Sequence, residues 1–151
     1  MKRIAIYALI LASALMVPLE GTDVGRLKPV GLVQIYREGE LCFIVTDTGD
    51  YGTGKTAAEA FDNLEETTSG AIFLDTADYL LIDESAESEV ANLRGYLKHS
   101  VRICEASPEI EPEMAQEYLQ THRPTIKLKE FAGMKNLEKL RIENGRLILI
   151  Y

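Results

Sequence analysis

The sequence predicts an α+β or α/β domain, a small mixed sheet with hairpins and two to three helices, placed after an apolar N-terminal segment. Two observations carry this expectation. From Lys28 onward, short runs rich in β-branched and aromatic residues alternate with segments whose apolar residues recur at helical spacing. Near the end, LRIENGRLILIY places Asn144-Gly145 between two apolar runs, the dipeptide that a two-residue type I′ turn selects because both central positions need positive φ.

Residues 1–21 read as a signal peptide or membrane anchor. Lys2 and Arg3 form a positive n-region, Ile4 to Val17 an apolar core, and Pro18 and Glu20 end it. That core is shorter than the roughly 20 residues of a membrane-spanning helix, which suits cleavage. The A-x-A pattern Ala12-Ser13-Ala14 lies inside the core instead of after it, which suits retention as an anchor. Either way the expected address is extracytoplasmic, with contact to the membrane through this segment if it is uncleaved.

Residues 28–151 are expected to form a single domain. Pro29 to Tyr36 and Leu41 to Thr46 read as strands joined through Arg37-Glu38-Gly39-Glu40, hence an antiparallel hairpin. Asp47 to Gly54 reads as a Gly-rich loop. A helix from Ala57 to Thr67 follows, with Ala57, Ala60, Phe61 and Leu64 on one face and Gly70 closing it. Ala71 to Leu74 and Tyr79 to Ile82 are short apolar runs, expected as one irregular strand or two strands around Thr76-Ala77-Asp78. A helix from Ser85 to about His99 buries Val90, Leu93 and Leu97 and turns Glu87, Glu89, Arg94 and Lys98 to water. Val101 to Cys104 is a strand, Pro108 to Pro112 a linker, and Glu113 to Thr121 a helix stopped by Pro124. Leu140 to Glu143 and Arg146 to Tyr151 form the last hairpin.

Composition narrows the function. The chain carries 16 basic and 24 acidic residues, a formal charge of −8. Without residues 1–21 there remain 14 basic and 23 acidic, about −9. An acidic surface repels phosphate backbones, so no nucleic acid partner is expected. Cys42 and Cys104 read as two buried thiols, a disulfide being the alternative if their strands are neighbours. His99 and His122 stand alone, and no C-x-x-C occurs, so neither metal nor cofactor is expected.

One segment suggests chemistry. Gly49 to Thr56, GDYGTGKT, fits the phosphate-loop pattern G-x-x-x-x-G-K-[ST]. On that alternative reading, a P-loop nucleotide-binding protein, Gly49, Gly52, Gly54, Lys55 and Thr56 bind nucleotide and Asp83 of YLLIDE is the Walker B carboxylate on Mg²⁺. Four features argue for a chance match. Asp47 and Asp50 crowd an anion site. Thr56-Ala57-Ala58-Glu59 is a capping box in which Glu59 would return to Thr56, starting the helix after the lysine. The preceding strands read as a hairpin where a P-loop needs a parallel βαβ unit. Export removes the triphosphate. Serines lack a G-x-S-x-G context and Asp83-Glu84 suits a helix N-terminus, so no catalytic residue is expected.

PVGLVQIYREGELCFIVTDTG, GKTAAEAFDNLEETTSG and AIFLDTADYLLIDES, followed by a helix and VRICEA, resemble the N-terminal portion of the C subunits of spore germinant receptors, the Ger(x)C family. A G-x-[ST]-x-x-E-A-x-x-x-L helix is matched by Gly54, Thr56, Glu59, Ala60 and Leu64, and the likeness runs over Lys28 to Ala106. It implies a membrane-attached protein on the outer side of the spore inner membrane with no catalytic residue. The chain departs from the family in having no lipobox cysteine after its apolar segment and in stopping before the family's later domains. The expectation is a non-catalytic binding or assembly domain on the trans side of a membrane, contacting another envelope or spore protein through its sheet or last hairpin.

Overall fold

The computed structural model describes residues 27–151; the expected signal or anchor segment, residues 1–21, lies outside them. The fold is mixed α+β, with a seven-stranded sheet and three helices. In chain order the strands are β1 (Leu27–Pro29), β2 (Leu32–Glu38), β3 (Leu41–Thr46), β4 (Tyr51–Gly54), β5 (Ala71–Phe73), β6 (Tyr79–Ile82), β7 (Arg102–Ala106), β8 (Lys139–Glu143) and β9 (Arg146–Ile150). The helices are α1 (Ala57–Thr67), the single turn α2 (Val90–Leu93) and α3 (Pro112–Thr121).

The main sheet runs β4-β3-β2-β6-β7-β8-β9. Its centre is parallel, β2 with β6, β6 with β7 and β7 with β8, and its two margins are antiparallel hairpins. Central parallel strands are covered on both faces, and Tyr79 to Ile82 is accordingly buried at all four positions. On one face Val33, Ile35, Ile44, Leu80, Ile82 and Ile103 pack under α1 and under Val90 and Leu93. On the other, Leu32, Tyr79, Leu81, Cys104 and Leu140 pack under Ala115 and Leu119 of α3. Cys42 belongs to the first layer and Cys104 to the second, so the sheet separates the two buried thiols and no disulfide joins them.

Four expectations are corrected. The first strand begins at Leu32, because Leu27–Pro29 leaves to pair in parallel with β5 in a separate two-stranded sheet. Tyr51–Gly54 is a strand, not loop: only the turn before it is irregular, with Gly49 at φ 81°. The expected helix from Ser85 to His99 is a 3₁₀ segment, Glu84–Glu89, plus the one turn of α2. Glu89, expected in water, is buried, and its carboxylate is drawn to the N-terminus of α1, which holds the segment in the tighter winding. Val90, Leu93 and Leu97 are buried all the same.

Candidate functional site

Each residue of the phosphate-loop pattern has a structural position. Gly49 lies in the turn between β3 and β4. Gly52 and Gly54 belong to β4, opposite Ile44 and Cys42 of β3. Both sit against α1, where an added Cβ would stand 2.6 Å from the Leu64 amide nitrogen at Gly52 and 2.6 Å from the Ala60 amide nitrogen at Gly54. Lys55 and Thr56 are exposed. Thr56 is the N-cap of α1, its hydroxyl accepting the Glu59 N–H at 3.3 Å. The Glu59 carboxylate reaches back one residue further than the motif predicts, accepting the Lys55 N–H at 2.7 Å. Asp83 is the N-cap of the Glu84–Glu89 segment and accepts the Ser85 N–H at 3.0 Å.

The N-terminus of α1 is already occupied by an anion from this chain. Glu89 Oε2 accepts the Ala57 N–H at 3.0 Å and an Asn92 amide hydrogen at 3.1 Å, and Glu89 Oε1 accepts from Arg37 Nη1 at 2.7 Å. Arg37 also donates to the Lys55 and Glu40 carbonyls. The Thr53, Lys55, Ala57 and Glu59 N–H groups, donors on which a phosphate would draw, are therefore taken by side chains, and the glycine-bearing strand pairs antiparallel. What the pattern builds here is close strand–helix packing and a capped helix.

Elsewhere, a cleft of about 310 Å³ opens at the carboxyl ends of β6 and β7 beside β8. Asp83, Glu105, Ser107, Glu109, Lys139 and Arg141 reach it. Lys139 pairs with Glu105 at 2.9 Å, and Asp83 accepts both the N–H and the hydroxyl of Ser85 as the cap of the Glu84–Glu89 segment. Both histidines are exposed and remote from it in sequence, His122 as the C-cap of α3. Among the described residues, no group of three or more His, Cys, Asp or Glu is placed to hold a metal ion.

The two margins of the sheet differ. On β4 the Thr53 N–H donates to Asn63 Oδ1 at 3.0 Å, while the Thr67 hydroxyl of α1 donates to the Asn63 carbonyl at 2.8 Å and lies 3.4 Å from the Tyr51 carbonyl. On β9 no described strand pairs with the outer side. The two-residue turn makes Glu143 and Arg146 a hydrogen-bonded pair, so Arg146, Ile148 and Ile150 turn their backbone groups to β8. Leu147 and Leu149 turn theirs outward. The Leu149 N–H meets the phenol oxygen of Tyr118 at 3.2 Å, and the Tyr118 ring stacks on His122 with centroids 4.1 Å apart. A groove of about 400 Å³ runs between this margin and α3, lined by Met114, Glu117, Tyr118, Arg146 and Leu147.

No family model, curated protein or solved structure matches the chain.

The last hairpin is present in the register that Asn144-Gly145 predicts, with Asn144 at φ 50° and Gly145 at φ 74°. Sequence reasoning missed the groove. Its signal was available: Met114 and Tyr118 are four apart on α3, hence on one face, and RLILIY has no polar residue after Arg146 to alternate with its apolar ones. Also missed was Glu89 as the counter-charge of Arg37, a pairing across 52 residues that no local spacing announces.

Proposed function

We propose that this domain is a non-catalytic binding and assembly module on the trans side of a membrane, carried there by residues 1–21 as signal or anchor, which docks a strand of an envelope or spore protein along β9. The observation that carries this reading is the margin of β9, which no described strand covers and which is apolar on both faces, with outward backbone groups at Leu147 and Leu149, of which the Leu149 N–H is held by the Tyr118 hydroxyl. Natural sheets blunt an unpaired edge with charge, proline, a bulge or a covering element, and an apolar edge left open is a template for pairing. β9 has a single charge, Arg146, at its start. Exposed Ile142 and Met114 extend the apolar surface to either side. The engagement of Asp83 in capping and of Lys139 in an ion pair with Glu105 supports the non-catalytic part of the reading.

The test uses Glu143→Cys, exposed at the turn end of β8, in the full chain, since Cys42 and Cys104 are buried. A membrane-impermeant maleimide carrying a photo-crosslinker should label intact cells and form protein adducts, and Leu149→Lys should abolish the adducts without abolishing labelling. Labelling seen only after lysis would refute the address. Adducts indifferent to Leu149→Lys would refute the edge.

A further inference from the structure

We propose that the strand docking on β9 comes from a second copy of this chain, antiparallel across a two-fold axis, with Tyr151 of each copy seated in the other's groove between Met114, Tyr118 and Leu147. The inference rests on the edge-docking reading above and names its partner. A two-fold axis perpendicular to the sheet returns each face to itself, so the paired strands must be centred on one residue facing its own copy. The outward hydrogen-bonding positions are Leu147, Leu149 and, by continued alternation, Tyr151. Centring on Leu149 pairs it with Leu149 of the second copy and sets Leu147 opposite Tyr151. The paired residues Leu147 to Tyr151 are then apolar on both strands, and the two Arg146 side chains flank them at opposite ends.

The same register makes the surface complementary to itself. Leu147 and Leu149 lie on the face that packs against Tyr118 of α3, and alternation puts Tyr151 on that face too. Tyr151 is 94% exposed, the most exposed of the large apolar side chains, and stands opposite the Leu147 that lines the groove. A groove of about 400 Å³ accommodates one aromatic ring. Each tyrosine buries roughly 150–250 Å² of its own surface. Two rings, with the groove walls they cover, reach about 600–1,000 Å², and the strand pair supplies the remainder of the ~1,200 Å² at which specific interfaces begin. The domain is acidic overall, but Lys139 to Tyr151 holds three basic residues and one acid, so two copies meet where repulsion is least. Tyr118 regulates the contact. Its hydroxyl holds the Leu149 N–H at the central pair and must release it for the strands to join.

Oxidative cross-linking of the full chain tests the register. Residues facing each other across a hydrogen-bonded antiparallel pair stand about 5.5 Å apart at Cα, within disulfide reach. Leu149→Cys should give a covalent dimer of twice 16.8 kDa in high yield, whereas Ile142→Cys on β8 should not. Chains carrying Leu147→Cys and Tyr151→Cys, mixed, keep one of the two seated rings and should cross-link to one another at reduced yield, which keeps the test valid if Leu149→Cys folds poorly. Adding Tyr151→Ala should lower the Leu149→Cys yield at least about tenfold, and Tyr118→Phe should tighten association about three- to tenfold by removing the competing hydroxyl. Equal yields from Leu149→Cys and Ile142→Cys, with none from the mixed pair, would overturn the proposal. In intact cells, Leu149→Cys adducts with other polypeptides but none with itself overturn the self-pairing and keep the docking reading, while no adducts at all overturn both.

Discussion

A Cβ at Gly52 would meet the Leu64 amide nitrogen at 2.6 Å and the Leu64 Cβ at 2.7 Å, both held by the helix backbone. Nothing there can swing aside, so Gly52→Ala should destabilise the domain by about 3 kcal/mol, read from the urea midpoint. Lys55→Ala should leave that midpoint within about 0.5 kcal/mol, since the side chain is exposed and its backbone makes the structural contacts. A glycine kept for a ligand would behave the other way, tolerated in folding and costly in binding. The cysteines give a second residue-scale expectation. Burial, reinforced by the Glu89 charge and opposed by Arg37, pushes the Cys42 thiol up to about 11; burial and Glu138 push Cys104 higher still. Both should be silent to thiol reagents at pH 8 and react on unfolding. Because the folded state holds these protons more tightly, their contribution to stability is complete below pH ~8.5 and is lost as pH rises toward 11.

At the scale of elements, the start of α1 depends on residues from three places in the chain: Thr56 locally, Arg37 from β2 and Glu89 from the segment before α2. Thr56→Ala removes one capping bond and should cost about 1 kcal/mol. Glu89→Ala strands the partly buried Arg37 guanidinium together with the Ala57 N–H, and a loss of about 3–5 kcal/mol in chemical denaturation is expected. A loss no larger than that of Thr56→Ala would show that the pair is solvated. The two costs also mark what sequence reading reaches. The Thr56 cap, the Ala57/Ala60/Phe61/Leu64 stripe and the Asn144-Gly145 turn are set by neighbours within four residues, and they were legible. The Glu89 contacts, with partners 32 and 52 residues away, and the parallel β2–β6 pairing depend on distant parts of the chain, and so they were not. The β4 strand was hidden by composition: glycine is a poor strand former, and what makes Tyr51–Gly54 a strand is α1 packed on it. In the candidate site, the apolar hairpin was readable, whereas the groove needed α3 brought beside β9.

For the molecule as a whole, the phosphate-loop pattern and the assembly reading predict opposite responses to nucleotide. Mg·ATP at millimolar concentration should leave the melting temperature unchanged in both the native chain and Lys55→Ala. Any ligand bound to the folded state with micromolar affinity would raise stability by about 4 kcal/mol at a thousandfold excess over its dissociation constant, a shift too large to miss. A rise in the native chain that Lys55→Ala removes would restore the nucleotide reading. The unequal margins of the sheet carry a further consequence. Asn63 takes the Thr53 N–H on the β4 side and Tyr118 takes the Leu149 N–H on the β9 side, but β9 alone of the two is apolar on both faces and flanked by a groove, so the two borders are unequally sticky. If two β9 borders pair as proposed, neither is left to recruit a third copy, so assembly by this route ends at a pair instead of growing into a filament, and an apolar strand can be displayed at high concentration without seeding fibres.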